Sequence, residues 1–171
     1  MHTQLIDLKN AEIEKYLRQI MLDYIGLEGQ RRLRATMVAV IEMGGLGSLI
    51  ATQLTAMDVG ELKIVDRDIV DISNLHRQYL YGMRLVEYSK IEAAAIKLKR
   101  LNPDVKIVPY ATSFDEFNAE KILESVDVVV DGLDRIKNTI FTIVKFHVTP
   151  LYFLDFYNYY ISNLFSIIKL N

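Results

Sequence analysis

The run Met37-Val38-Ala39-Val40-Ile41 ends at Glu42-Met43-Gly44-Gly45-Leu46-Gly47-Ser48, and helical spacing of apolar residues begins immediately after it. A stretch apolar at every position is a strand buried on both faces, and glycines between such a strand and a helix make the tight turn of an α/β unit. The pattern recurs downstream. Glu61 to Val65 supplies a second strand, Lys90 to Leu101 a helix closed by Asn102-Pro103, and residues 105–109 a third strand. Residues 115–125 read as helical, and 127–130, Asp-Val-Val-Val, as a buried strand running into Asp131-Gly132. Strands alternating with helices predict right-handed crossovers and a mainly parallel sheet with helices on both faces. The helix that follows the glycine turn is expected to run up to Gly60 as its stop.

Ahead of this core, residues 11–25 carry Ile13, Leu17, Ile20, Met21 and Ile25 at helical spacing, predicting one amphipathic helix. With 171 residues, 51% of them hydrophobic, the chain is expected to form a single domain. Within it, residues 1–35 are a helical arm, 36–150 a Rossmann-like doubly wound core, and 151–171 an aromatic-rich strand segment. The stretch after Pro150 is interrupted by Asp155, Asn158, Ser162, Asn163 and Lys169, so no membrane span is expected. Twenty basic against 22 acidic residues give no electrostatic reason to expect nucleic acid. The absence of cysteine excludes disulfides, a Cys-based zinc cluster and any thioester on this polypeptide. A charged N-terminus without the apolar run of a secretion signal predicts a cytoplasmic protein. His2 and His147 show no metal-ligand spacing.

In sheets of this kind ligands sit beyond the carboxyl ends of the strands, and that is where the polar residues of this chain fall. Gly44, Gly45 and Gly47 open a helix, allowing close backbone approach to a phosphate at a helix N-terminus. The usual fingerprint begins with glycine where this chain has Glu42, whose Cβ would strain the turn and whose carboxylate would repel a phosphate. Asp66 ends the next strand 19 residues beyond Gly47, a distance at which a carboxylate can bind ribose hydroxyls. Loop and acid together suggest an adenosine nucleotide without separating NAD from ATP.

Asp66-Arg67-Asp68 is followed by Asp71-Ile72-Ser73-Asn74-Leu75-His76-Arg77-Gln78. This resembles the D-x-D…S-N-L-x-R-Q signature of the ThiF/MoeB/HesA family of ubiquitin-activating-like adenylyltransferases. The resemblance runs from Lys15 to about Pro150, through K-Y-L-R-Q-I, G-L-E-G-Q at residues 26–30, G-G-L-G-S, Val59-Gly60, Lys90-Ile91-Glu92-Ala93-Ala94, Leu101-Asn102-Pro103-Asp104 and Asp131-Gly132-Leu133-Asp134. It implies ATP and Mg²⁺ as cofactors, and as substrate a ubiquitin-like or sulfur-carrier protein ending in Gly-Gly, activated at its C-terminal carboxylate. It also implies Arg77 and Lys90 as phosphate-binding cations, Asn74 and Gln78 as polar partners, and Asp66 and Asp68 beside the nucleotide. Asp134 then holds magnesium, and Arg18 reaches the site of the other subunit in a dimer.

Three departures bear on this expectation. Besides Glu42, the segment Asp134-Arg135-Ile136-Lys137-Asn138-Thr139 differs from the family's D-N-F-x-x-R, and bulky aromatics occupy 153–160 where relatives have glycines. The family's C-terminal half is expected to be missing, leaving apolar surface for a second subunit, as a homodimer or heterodimer, to cover. An alternative is an impaired nucleotide-binding homologue that serves as the scaffold subunit of an activating enzyme. An NAD-dependent oxidoreductase ranks last, because it leaves Arg77, Lys90 and Asp134 unexplained together.

Overall fold

The computed structural model describes residues 8–132. Four strands, β1 (Met37–Ile41), β2 (Glu61–Val65), β3 (Lys106–Tyr110) and β4 (Val128–Asp131), form one parallel sheet in the order β3-β2-β1-β4. The chain moves outward from β1 to β3, then returns to the other side of β1 for β4. That reversal makes the gap between β1 and β4 the topological switch point, where a crevice opens beyond the strand ends.

Alternate residues of the strands build two apolar layers. Val38, Val40, Leu62 and Ile64 pack with Ile50 and Leu54 of α4 (Gly45–Ala56) and with Ile91 and Leu98 of α5 (Lys90–Leu101). On the opposite face Ala39, Ile41, Val65 and Val129 meet Ile122 of α6 (Ala119–Leu123). Helices therefore cover both faces, as the sequence pattern predicts. Lys63 is the exception to the apolar rule of β2. Its buried ammonium donates to the carbonyls of Ile122 at 3.0 Å and Glu124 at 2.7 Å. These lie at the C-terminal end of α6, where carbonyls lack helical partners and positive charge is favoured.

The single helix expected over 11–25 is instead two short helices, α1 (Asn10–Lys15) and α2 (Leu17–Ile20), broken at Tyr16. The buried Tyr16 accepts a hydrogen bond from Asn102 Nδ2 at 3.0 Å, and the same amide donates to Thr55 O at 3.0 Å and Asp58 Oδ1 at 3.2 Å. Lys15 Nζ donates to Asn102 Oδ1 at 2.8 Å and to Asp104 Oδ2 at 3.1 Å. The motifs around Lys15 and Asn102, 86 positions apart at Tyr16, thus form one polar lock. A further helix, α3 (Gly26–Ala35), completes the helical arm expected over residues 1–35, although the sequence reading gives it no bounds of its own. The helix after the glycine turn ends at Ala56 rather than near Gly60, because Asp58 takes the left-handed conformation, φ +71°, that usually falls to glycine. Residues 115–118 are loop, with Asp115 Oδ1 accepting the N–H groups of Phe117 and Asn118. No helix among the described residues is long and apolar enough to cross a membrane.

Candidate functional site

The glycine turn lies at the switch point and is fixed by hydrogen bonds from three directions. Glu42 N–H donates to Val65 O at 2.8 Å, Gly132 N–H to Ile41 O at 2.8 Å, and Met43 N–H to Asp66 Oδ2 at 2.8 Å. The path requires φ +67° at Glu42, left-handed backbone that disfavours any residue with a Cβ. The steric conflict anticipated for Glu42 is therefore built into the fold.

The glycines divide by task. A Cβ on Gly47 would run into the carbonyl oxygen of Glu42 and stand 3.3 Å from Val40 Cγ1, so this glycine allows α4 to meet β1. A Cβ on Gly45 would lie 3.6 Å from Arg77 Cγ, and one on Gly44 would have only Gln78 Nε2, at 4.0 Å, as neighbour. Those two positions open toward side chains, and Arg77 and Gln78 come together over them.

Gln78 is 3% exposed, and its Oε1 has no hydrogen-bond partner among the described residues. Burying an amide oxygen without a partner is costly, so such a group beside an open glycine turn marks a place for a ligand donor. No described acceptor takes the Gly44 N–H either. Arg77 is exposed and is tethered by its own turn, with Nη2 donating to Asn74 Oδ1 at 2.6 Å. That 3₁₀ turn (Ile72–Asn74) is capped by Asp71, which accepts Ser73 N–H at 2.7 Å, and hydrogen bonding from Ser73 holds the Asp71 carboxyl below its usual range.

Asp66 is 5% exposed, with Oδ2 on Met43 N–H and Oδ1 on Asp68 N–H at 2.7 Å. It props the glycine turn from behind, a task its sequence position does not announce. Lys90 opens α5 and is itself 5% exposed, its Nζ 3.0 Å from Asp68 Oδ2 and 3.6 Å from Asp66 Oδ2. The Asp68 side chain is 58% exposed, so this cation lies between a buried and an open carboxylate. Tyr81, absent from the sequence prediction, is buried with its hydroxyl donating to Met43 O at 2.9 Å. Burial foremost, with the charge of Asp66, pushes its pKa well above the ordinary phenol value.

Gly44, Gly45, Gly47, Asp66, Asp68, Asn74, Arg77, Gln78 and Lys90 are thus linked through contacts around one turn. Arg18 is not among them. It is exposed on α2, whose Gln19 donates to Met57 O at the C-terminal cap of α4, the end away from the glycines. Asp134, the expected magnesium ligand, lies outside the described residues. Among those described, no three acidic or histidine side chains cluster as metal ligands.

A parallel sheet with this strand order and a glycine turn opening a helix at its switch point defines a Rossmann-like α/β domain. The chain belongs to the ThiF family, whose model matches residues 16–152. It is 41% identical over 129 residues to adenylyltransferase and sulfurtransferase MOCS3 of Sus scrofa, covering 75% of this chain and 28% of that protein. Against the SAMP-activating enzyme E1 of Haloferax volcanii it is 35% identical, over 76% of this chain and 48% of the other. The chain therefore spans less than half the length of these two curated relatives. Among solved structures, PaaA superposes with a TM-score of 0.67 at 27% identity, covering 77% of this chain and 44% of that one. The tRNA N6-threonylcarbamoyladenosine dehydratase TcdA of E. coli, in complex with ATP, shares the fold with a TM-score of 0.71 at 20% identity, over 77% and 54% of the two chains.

Proposed function

We propose that this domain binds ATP over the glycine turn and adenylates the C-terminal glycine carboxylate of a small ubiquitin-like or sulfur-carrier protein. The observation that carries the reading is the open glycine turn, where the Gly44 N–H has no described acceptor and Arg77 lies over Gly45, with the buried Gln78 Oε1 beside it left for a donor such as a ribose hydroxyl. A triphosphate laid along Gly44, Gly45 and Gly47 meets free N–H groups and the positive end of α4. Asp66 and Asp68 lie beside the sugar. Arg77, turning from Asn74, and Lys90, turning from Asp68, neutralise charge on the α-phosphate and the departing pyrophosphate. A carboxylate oxygen of the carrier attacks the α-phosphorus, the bond to the bridging oxygen breaks, and pyrophosphate leaves with the electron pair. Mg²⁺, held by Asp134, supplies further neutralisation when bound. Arg18 comes from a second subunit, homologous or identical, and the protein works in the cytoplasm.

The relatives' names support the reaction class, since they include adenylyltransferases and an activating E1. Glu42 favours one competing reading, an impaired homologue that scaffolds a catalytic partner, because a carboxylate at this turn opposes a phosphate.

The test is ATP–pyrophosphate exchange with candidate carriers ending in Gly-Gly. Exchange should require both carrier and magnesium and disappear in Arg77→Ala. Mixing inactive Arg77→Ala with inactive Arg18→Ala should restore about one quarter of the exchange, as half the dimers would then carry one intact composite site. ATP binding without exchange, for any carrier, would leave the scaffold reading. Absence of ATP binding would sink both.

A further inference from the structure

We propose that Tyr81 is a positioning residue for the nucleotide turn, its hydroxyl setting the direction in which the Gly44 N–H points. This rests on the reading of the turn as a phosphate site.

Met43 is held at both ends of its backbone. Its N–H donates to Asp66 Oδ2 at 2.8 Å and its carbonyl accepts from Tyr81 at 2.9 Å, while its own side chain is fully buried. The carbonyl belongs to the Met43–Gly44 peptide. In a planar trans peptide the C=O and the N–H point in opposite directions, so drawing the Met43 oxygen toward the buried Tyr81 turns the Gly44 N–H away from it. That N–H has no acceptor among the described residues, and the open side of Gly44 faces Gln78. The donor offered to a ligand is therefore oriented by a phenol 37 residues later in the chain.

Other observations make the hydroxyl, rather than the ring, the working part. A phenylalanine would fill the same space in the layer shared with Met43, Ile50 and Val70 without burying a polar group, so what the hydroxyl adds is its bond to the Met43 carbonyl. Burial and the nearby Asp66 keep that proton on the oxygen, which makes Tyr81 a donor at all ordinary pH. The peptide plane it grips adjoins a glycine. Gly44 at φ −74° can reach either hand of backbone space, and the neighbouring Glu42 already lies at φ +67°. A strained turn persists where its surroundings over-determine it, and Tyr81 and Asp66 supply that restraint.

The test compares Tyr81→Phe with the natural chain by amide NMR of the full-length, nucleotide-free protein and by titration with ATP and magnesium. We expect one sharp Gly44 amide signal in the natural chain and a shifted, doubled or broadened one in the variant. ATP affinity should fall about tenfold, the equivalent of about one net hydrogen bond. An unchanged Gly44 signal with ATP affinity within twofold of the natural chain would overturn the proposal, even if the melting temperature fell. If the natural chain binds no ATP, the nucleotide reading fails by that result alone, and the Gly44 signal in the two nucleotide-free proteins still decides whether Tyr81 orients the turn.

Discussion

Replacing Glu42 by glycine isolates the cost of the one position where this chain departs from the glycine fingerprint. Glu42 holds φ +67°, and left-handed backbone costs a residue with a Cβ about 1–2 kcal/mol relative to right-handed conformations. Glycine removes that cost but gives the unfolded chain more freedom, which takes back about 0.4–1 kcal/mol. The hydrogen bond from the residue-42 N–H to Val65 O survives, because it involves only backbone. The backbone terms alone give a gain of about 0.8 kcal/mol, which for a chain of this size raises the melting temperature by about 2–3 °C, less what the contacts of the Glu42 side chain contribute. Differential scanning calorimetry with matched urea titrations measures it, and ATP titration of the same protein should show tighter binding as a negative charge leaves the turn. A lower melting temperature in Glu42→Gly would refute the reasoning. It would mean that the glutamate side chain stabilises the turn by more than its backbone conformation costs.

Two further comparisons test other parts of the scheme. Gly47→Ala should destabilise the fold by about 3 kcal/mol or more, since the new Cβ meets the Glu42 carbonyl, whereas Gly44→Ala, with nothing nearer than 4.0 Å, should fold normally and lose ATP affinity. Equal melting temperatures for the two alanine variants would contradict this division. Asn102→Ala should cost about 2–4 kcal/mol in urea unfolding, because Thr55 O, Asp58 and Tyr16 lose a shared buried donor. It should also expose residues 9–16 to limited proteolysis, and an arm that stays protected would show that its remaining contacts, Lys15 with Asp104 and Gln19 with Met57 among them, hold it without Asn102.

What the sequence revealed, and what it hid, follows the range of the forces involved. β1, β2 and α5 were legible to the residue because an unbroken apolar run in β1, a short Leu/Ile/Val-rich segment after Gly60 in β2 and three- to four-residue spacing in α5 are local signals. α3 fell within the helical arm expected over residues 1–35 but was not picked out as an element of its own, because Gly26 and Gly29 lower helix propensity, while Leu33 presses it on the core. The break at Tyr16 and the early stop at Asp58 were hidden for a different reason. Both answer to Asn102, whose amide binds Tyr16 and Asp58 across 86 and 44 positions, and no local pattern encodes such a partner. At the site, the loop glycines, Asp66, Arg77, Gln78 and Lys90 were legible as motif members. The propping of Met43 by Asp66 and Tyr81 was not, since it depends on where β2 ends and how the 75–82 segment folds back.

The position of Arg18 constrains any scheme in which it acts at the glycine turn. Its helix is anchored by Gln19 to Met57 at the C-terminal cap of α4, while the turn lies at the N-terminal end of the same helix. Twelve helical residues at 1.5 Å each separate the two ends by about 18 Å, beyond the reach of one arginine side chain. The arm cannot simply swing, because Lys15, Tyr16 and Gln19 tie it down on both sides of Arg18. An arginine so held can serve only a site that comes to it, which is what the second subunit of the proposed scheme would supply to the exposed Arg18.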